Sequence, residues 1–168
     1  MMYLILGGER SGKTAYAQDL ALGLSNNPVY IATSRFYDDD FEQRVERHKQ
    51  ERDERWINIE EENEISKIDL TNKVAIVDCV TLWLNNFYAD EKGNPENTLE
   101  AIKAEFDKIN TTNSTLIFIS NELGMGVHAQ TPSGRKFVEI QGWMNQYIAK
   151  KANKVTLMVA GIPVKVKE

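Results

Sequence analysis

The chain has 168 residues, 42% of them apolar and 27% charged, with 25 acids against 20 bases and a formal net charge of -5. That length supports one compact core rather than two, and the acidic balance argues against a broad basic surface of the kind that grips nucleic acid. The one cysteine, Cys79, allows no intrachain disulfide and hence no disulfide scaffold.

The opening apolar run is about five residues long, too short for a signal-peptide core. No stretch approaches the roughly 20 apolar residues of a membrane span. The expectation is a cytoplasmic protein with no membrane span, folded as one domain over residues 1–168.

In chain order, Met2 to Leu6 reads as a buried strand ended by a glycine pair. Lys13 to Leu24 places Ala17, Leu20, Ala21 and Leu24 at helical spacing. Pro28 to Ala32 is a second strand. From Asp39 to about Arg55 the pattern is polar and helical, with acids at the start where the helix dipole favours them. Trp56 to Ile59 is a weaker strand, and Val74 to Asp78 a clear buried one. Leu82 to Tyr88 reads as helix, Glu91 to Asn97 as loop, and Thr98 to Asn110 as an amphipathic helix. Thr115 to Ser120 is another buried strand. Asn121 to Ser133, with Gly124, Gly126 and Pro132, reads as an irregular loop. Gly134 to Ala152 is a long helix, followed by strands at Val155 to Ala160 and Val164 to Val166. Apolar strands without alternation, interleaved with helices, predict an α/β fold: a mostly parallel sheet with helices on both faces.

The string Gly7-Gly8-Glu9-Arg10-Ser11-Gly12-Lys13-Thr14 matches G-x-x-x-x-G-K-[ST] and lies between a strand and a helix. Glycines let backbone N–H groups wrap the phosphates of a nucleoside triphosphate, and the helix N-terminus favours the anion. Lys13 would reach the β- and γ-phosphates, and Thr14 would ligate Mg²⁺. Asp78 ends an apolar strand, as a Walker-B carboxylate does. The alternative there is an acid that caps the following helix. No Asn-Lys-x-Asp string reads a guanine base.

Of the two histidines, His48 lies in the run RVERHKQER. On a helix Arg44, His48 and Arg52 share one stripe. Two guanidiniums there would bind phosphate oxygens and hold the imidazole neutral, able to act as a nucleophile. The alternative is a solvated helix whose bases pair with Glu46, Glu51 and Asp53. His128 reads as an ordinary loop residue.

Several segments together resemble one family: GGERSGKT, YIATS (30–34), RVERHKQER, VDCVTLWLNN, SNELGMG (120–126), GWMNQYIA (142–149) and VAGIPVKVK. The family is the bifunctional adenosylcobinamide kinase/adenosylcobinamide-phosphate guanylyltransferase of cobalamin biosynthesis. The resemblance implies a RecA-like P-loop NTPase domain assembled as a homotrimer. It implies that ATP or GTP phosphorylates the aminopropanol hydroxyl of adenosylcobinamide, and that GMP then passes from GTP through a GMP-histidine at His48. It further implies that Gly7 to Thr14, Ala32-Thr33-Ser34, Lys49-Gln50-Glu51-Arg52, Glu60 and the region of Thr81 and Leu82 hold nucleotide. Glu61 and Glu62 follow Glu60 and compete for that role. Arg44 and Arg52 would steady phosphate charge, and Asp78 would serve the metal. Asp78 or Glu122 could take the proton in the kinase step. Trp143 and the turn near Pro132 depart from the family's pattern, where the corrinoid or a neighbouring subunit would touch.

Overall fold

The computed structural model describes residues 1–35, 52–109 and 113–168. The apolar runs become β1 (Met2–Gly7), β2 (Val29–Ala32), β3 (Ile57–Glu60), β4 (Val74–Asp78), β5 (Thr115–Asn121), β6 (Lys154–Val159) and β7 (Ile162–Lys167). They form a seven-stranded sheet in the order β3-β2-β4-β5-β1-β6-β7. Every pairing is parallel except the closing β6–β7 hairpin. This is the mostly parallel sheet of a RecA-like P-loop domain.

Both faces of the sheet are covered, which explains why its central strands do not alternate in polarity. Leu4, Ile31, Val77 and Phe118 point to one side and pack against Trp83, Ile102, Phe106, Met144 and Ile148. Those partners come from helices α2 (Val80–Asp90), α3 (Pro95–Lys108) and α4 (Pro132–Lys151). The residues next along, Ile5, Ile76, Ile117 and Ile119, point to the other side and meet Ala17 and Ala21 of helix α1 (Lys13–Leu24). Alanine at those two positions lets α1 lie close to the strands.

Three helix starts fall earlier than the sequence pattern suggests. The helix α3 begins at Pro95, inside the expected loop. The Asn94 side chain accepts from the amides of Glu96 and Asn97 at 3.0 and 3.1 Å. Proline at the first helical position loses nothing, because its missing N–H had no intrahelical acceptor. The same device opens α4 at Pro132, where Thr131 Oγ1 accepts from the Gly134 amide at 3.0 Å. The helix α2 starts directly after Cys79 and runs to Asp90. The expected helix over 39–55 lies mostly outside the described residues, and its last part is not helical: 52–55 form a bend and turn.

The parallel register brings the strand ends to one rim. Gly7 pairs with Asn121, Asp78 with both Ile119 and Ala32, and Ala32 with Glu60. Open α/β sheets bind ligands outside such carboxyl ends. Replacing the α3 cap, Asn94→Ala, should lower unfolding stability by about 1 kcal/mol in urea titration.

Candidate functional site: a phosphate loop on the sheet rim

The phosphate loop is shaped by backbone that most side chains resist. Arg10 and Gly12 adopt φ of 52° and 91°, both left-handed. A Cβ on Gly12 would also lie 3.2 Å from Gly161 Cα. Gly161, in the β6–β7 turn, donates its amide to the Ser11 carbonyl at 3.0 Å, so the terminal hairpin braces the loop from outside. A Cβ on Gly7 would strike Ser11 Oγ and lie 2.9 Å from the Met158 carbonyl. Inside the loop, Lys13 Nζ donates to the Gly8 carbonyl at 2.6 Å. The lysine is only 8% exposed, so its charge is held at the loop mouth.

Opposite the loop, Asp78 Oδ2 accepts from Thr14 Oγ1 at 3.2 Å and from the Tyr30 hydroxyl. The helix-capping alternative for Asp78 is therefore set aside: Cys79 occupies the cap position of α2, which has no side-chain cap. Burial, followed by the adjacent carboxylate, raises the Tyr30 pKa well above its ordinary value. The phenol thus keeps its proton and donates. Burial, then Asp78, likewise pushes the Cys79 thiol up to about 12, which leaves it protonated and unreactive at neutral pH.

The Thr33 hydroxyl is fully committed. It donates to the Cys79 carbonyl at 2.8 Å and accepts from the Cys79 amide at 2.9 Å. Thr33 N–H donates to the Asp78 carbonyl at 3.1 Å. Thr33 therefore holds the segment Ala32-Thr33-Ser34 against the end of β4 instead of offering its side chain. Thr81 Oγ1 accepts from the Asn121 amide at 3.0 Å and ties α2 to β5.

Three consecutive acids close β3. Glu61 Oε1 accepts from the amides of Asn63 and Glu64 at 2.9 and 2.8 Å. Glu62 pairs with Arg35 at 2.6 Å. Both are thus built into the turn that follows, whereas Glu60 ends the strand beside Ala32 and is exposed.

Arg52 is 9% exposed. Its guanidinium stands 3.8 Å above the centroid of the Tyr30 ring, and its Nε donates to Asn58 Oδ1 at 2.6 Å. Its Nη1 is buried without a hydrogen-bond partner among the described residues. Arg44, His48, Lys49, Gln50 and Glu51 lie outside the described residues. Arg52 and Arg55 belong to the turn rather than to a helical stripe, and Arg55 pairs with Asp53 at 2.6 Å.

The structure adds residues that spacing did not reveal. Tyr30 and Trp56 are apolar-run members whose rings meet edge to face at 5.9 Å. Asn86, buried on α2, donates its amide to the carbonyls of Thr33 and Glu62 at 2.7 and 2.8 Å, clipping together the segments that follow β2 and β3. A buried asparagine inside the expected helix 82–88 was the available signal.

Comparison with known proteins decides the family. The model of the cobinamide kinase / cobinamide phosphate guanyltransferase family matches residues 3–166. The chain belongs to this family. It is 35% identical to the bifunctional adenosylcobalamin biosynthesis protein CobU of Escherichia coli, over 99% of this chain and 100% of that relative. It is 33% identical to the corresponding CobP of Pseudomonas aeruginosa, over 99% and 98%. Among solved structures, an ATPase from the type III secretion system of pathogenic bacteria superposes with a TM-score of 0.59 at 10% identity. That match covers 98% of this chain and 56% of that one, a likeness of fold alone. Family membership makes the chain an enzyme of cobalamin biosynthesis.

Gly12→Ala forces an alanine into left-handed backbone and against Gly161. It should weaken nucleoside triphosphate binding about tenfold in a fluorescence titration, with the far-ultraviolet circular dichroism unchanged.

Proposed function

We propose that this chain, acting as one nucleotide-binding domain over residues 1–168, phosphorylates adenosylcobinamide and then transfers GMP to the product. The observation that carries this reading is the convergence of Lys13, Thr14 and Asp78 on one rim, in a chain that matches the family over residues 3–166.

In the first step, the hydroxyl of the aminopropanol arm attacks the γ-phosphorus of ATP or GTP, and the nucleoside diphosphate leaves. Lys13 moves from the Gly8 carbonyl to the β/γ-phosphate oxygens, exchanging a neutral acceptor for an anionic one. The loop amides of Gly8 to Thr14 and the N-terminus of α1 stabilise the leaving charge. Thr14 and Asp78 supply hard oxygen ligands a hydrogen bond apart, a donor set that would hold Mg²⁺. When bound, Mg²⁺ would neutralise triphosphate charge there. Asp78 Oδ2 already takes two donors, which favours its metal role and leaves Glu122 as the better proton acceptor. The Glu122 amide donates to the Gly7 carbonyl at 3.0 Å, which keeps this residue at the edge of the loop.

In the second step, a ring nitrogen of His48 attacks the α-phosphorus of GTP, and the bond to pyrophosphate breaks. A phosphate oxygen of adenosylcobinamide phosphate then displaces the imidazole, giving adenosylcobinamide-GDP. Arg44 and Arg52 would steady the α-phosphate oxygens, and the buried Nη1 of Arg52, without a partner among the described residues, is suited to that task. Glu60, at the end of β3, is the acid best placed to meet the guanine. Ala32, Ser34, Lys49, Gln50 and Glu51 would complete the nucleotide contacts.

The corrinoid periphery would lie in the open cleft beyond β5, about 580 Å³ and lined by Leu123, Val127, His128 and Arg135 among others. The exposed side chains of Ile162, Val164 and Val166 on β7 support self-association, because an apolar edge of that kind is ordinarily covered; the family resemblance implies that the assembly is a homotrimer. Among the described residues no helix is long and apolar enough to cross a membrane. An enzyme that consumes ATP and GTP belongs in the cytoplasm, where those substrates are.

GTP labelled at the α- or the γ-phosphate tests the proposal. Wild-type protein should retain acid-labile label from the α position alone and pass γ-label to adenosylcobinamide. His48→Ala should lose the α-label and keep most of the γ-transfer. Lys13→Ala should slow both steps on the order of a hundredfold. Undiminished α-labelling of the His48→Ala protein would show that another residue carries GMP.

A further inference from the structure

Tyr30 lies at a junction that the two-step chemistry does not by itself require. It pairs with Ile76 on the neighbouring strand, two residues before Asp78 and on the same face. The tyrosine side chain is long enough to cross the diagonal to Asp78, and its hydroxyl does so. The phenol is buried, 5% exposed, and its hydroxyl ends on Asp78 Oδ2, the same oxygen that accepts from Thr14. With both donors on Oδ2, rotation of the carboxylate is fixed, and it is this held carboxylate that would serve Mg²⁺ beside Thr14.

The other end of the ring is held just as firmly. The Arg52 guanidinium covers one face at 3.8 Å, and Trp56 meets the ring edge-on at 84°. Arg52 is itself anchored through Nε to Asn58, while its Nη1 lacks a partner among the described residues. An anionic oxygen is the natural complement to a buried, unpaired guanidinium N–H. Any anion that draws Arg52 thus acts on the ring beneath it, and through the phenol on the carboxylate.

We propose that Tyr30 is a positioning residue that couples the Arg52 turn to the Asp78 carboxylate, so that seating a phosphate oxygen on Arg52 and seating Mg²⁺ beside Thr14 favour each other. The coupling rests on the nucleotide site of the preceding section and adds no chemical step. It makes the two ends of one triphosphate cooperate through a phenol rather than through the nucleotide alone. By linkage the effect is reciprocal: whatever Mg²⁺ adds to nucleotide affinity through this path, nucleotide adds to Mg²⁺ affinity.

The test is the Mg²⁺ concentration that half-saturates binding of a fluorescent GTP analogue, measured without turnover. Tyr30→Phe keeps the ring and both of its packing contacts and removes only the hydroxyl. It should raise that concentration about tenfold, the weight of a hydrogen bond to a charged group, while binding in excess chelator stays near wild type. Arg52→Met should raise it too in the wild-type background, and should add nothing further in the Tyr30→Phe background. Additive shifts in the double variant overturn the coupling. So does an unshifted Mg²⁺ requirement in Arg52→Met alone, a measurement that stands whatever the folding of Tyr30→Phe. Nucleotide binding with no Mg²⁺ dependence in the wild type also overturns it. The α-label experiment is independent: a Mg²⁺ requirement that shifts as stated in a protein that forms no acid-labile adduct would sink the guanylyl-transfer reading and leave the role of Tyr30 intact.

Discussion

The hydrogen bond between Thr14 Oγ1 and Asp78 Oδ2, 3.2 Å long, joins the first turn of α1, which follows β1, to the end of β4, although β1 and β4 are not neighbours. β5 lies between β1 and β4 in the sheet. The bond forms because α1 leaves the phosphate loop, crosses over β5 and settles on β4, with Ala17 and Ala21 fully buried beneath it. A larger residue at either alanine would lift the helix and carry Thr14 away from the carboxylate. The loop glycines, the alanine stripe and the acid at the end of β4 are thus parts of one geometric requirement, the placing of the Thr14 hydroxyl within a hydrogen bond of the Asp78 carboxylate.

Much of this arrangement was legible in the sequence because it depends on local rules. The loop signature has fixed spacing, and its strand-to-helix context follows from a buried apolar run on one side and Ala17 and Ala21 on the other. The parallel sheet was legible in runs such as Val74 to Val77, where the absence of alternation reports burial on both faces. The starts of α3 and α4 were misplaced because Pro95 and Pro132 read as breakers, although each sits where a helix tolerates proline best. The part played by Tyr30 could not be read at all. A tyrosine inside Val29–Ala32 looks like any other core residue until strand pairing places it diagonally from Asp78 and the turn after 51 brings Arg52 over its face.

Residues that a motif marks as ligand-binding divide, in the structure, into those that face the rim and those that build it. Thr33 and Thr81 belong to the second kind: one laces β2 to the Asp78–Cys79 link, the other ties α2 to the end of β5. Asn86 extends the same logic, since a single buried amide fixes the backbone after both β2 and β3. Burial of such polar groups is tolerable only when their hydrogen bonds are made, and here making them is what sets the spacing between neighbouring segments. A motif position can therefore matter to nucleotide binding without its side chain ever touching nucleotide.

The end of β5 shows how far such construction reaches. Ser120 Oγ donates to Asn145 Oδ1 at 2.6 Å, and Gln141 Nε2 donates to both at 2.9 and 3.0 Å. Asn145 Nδ2 donates in turn to the Asn121 carbonyl at 3.1 Å. Three polar side chains in an otherwise apolar layer between β5 and α4 are not the cheapest way to fill it, and Gln141 Oε1 has no partner among the described residues. An apolar trio of similar volume would avoid that desolvation penalty. It would also leave the strand end with nothing directional to hold it. The knot fixes Asn121, whose own amide is held by Thr81, and the next residue, Glu122, donates its amide to the Gly7 carbonyl where the phosphate loop begins. The end of β5 is thereby tied to the start of the loop that follows β1, at the point where the two strands run out together.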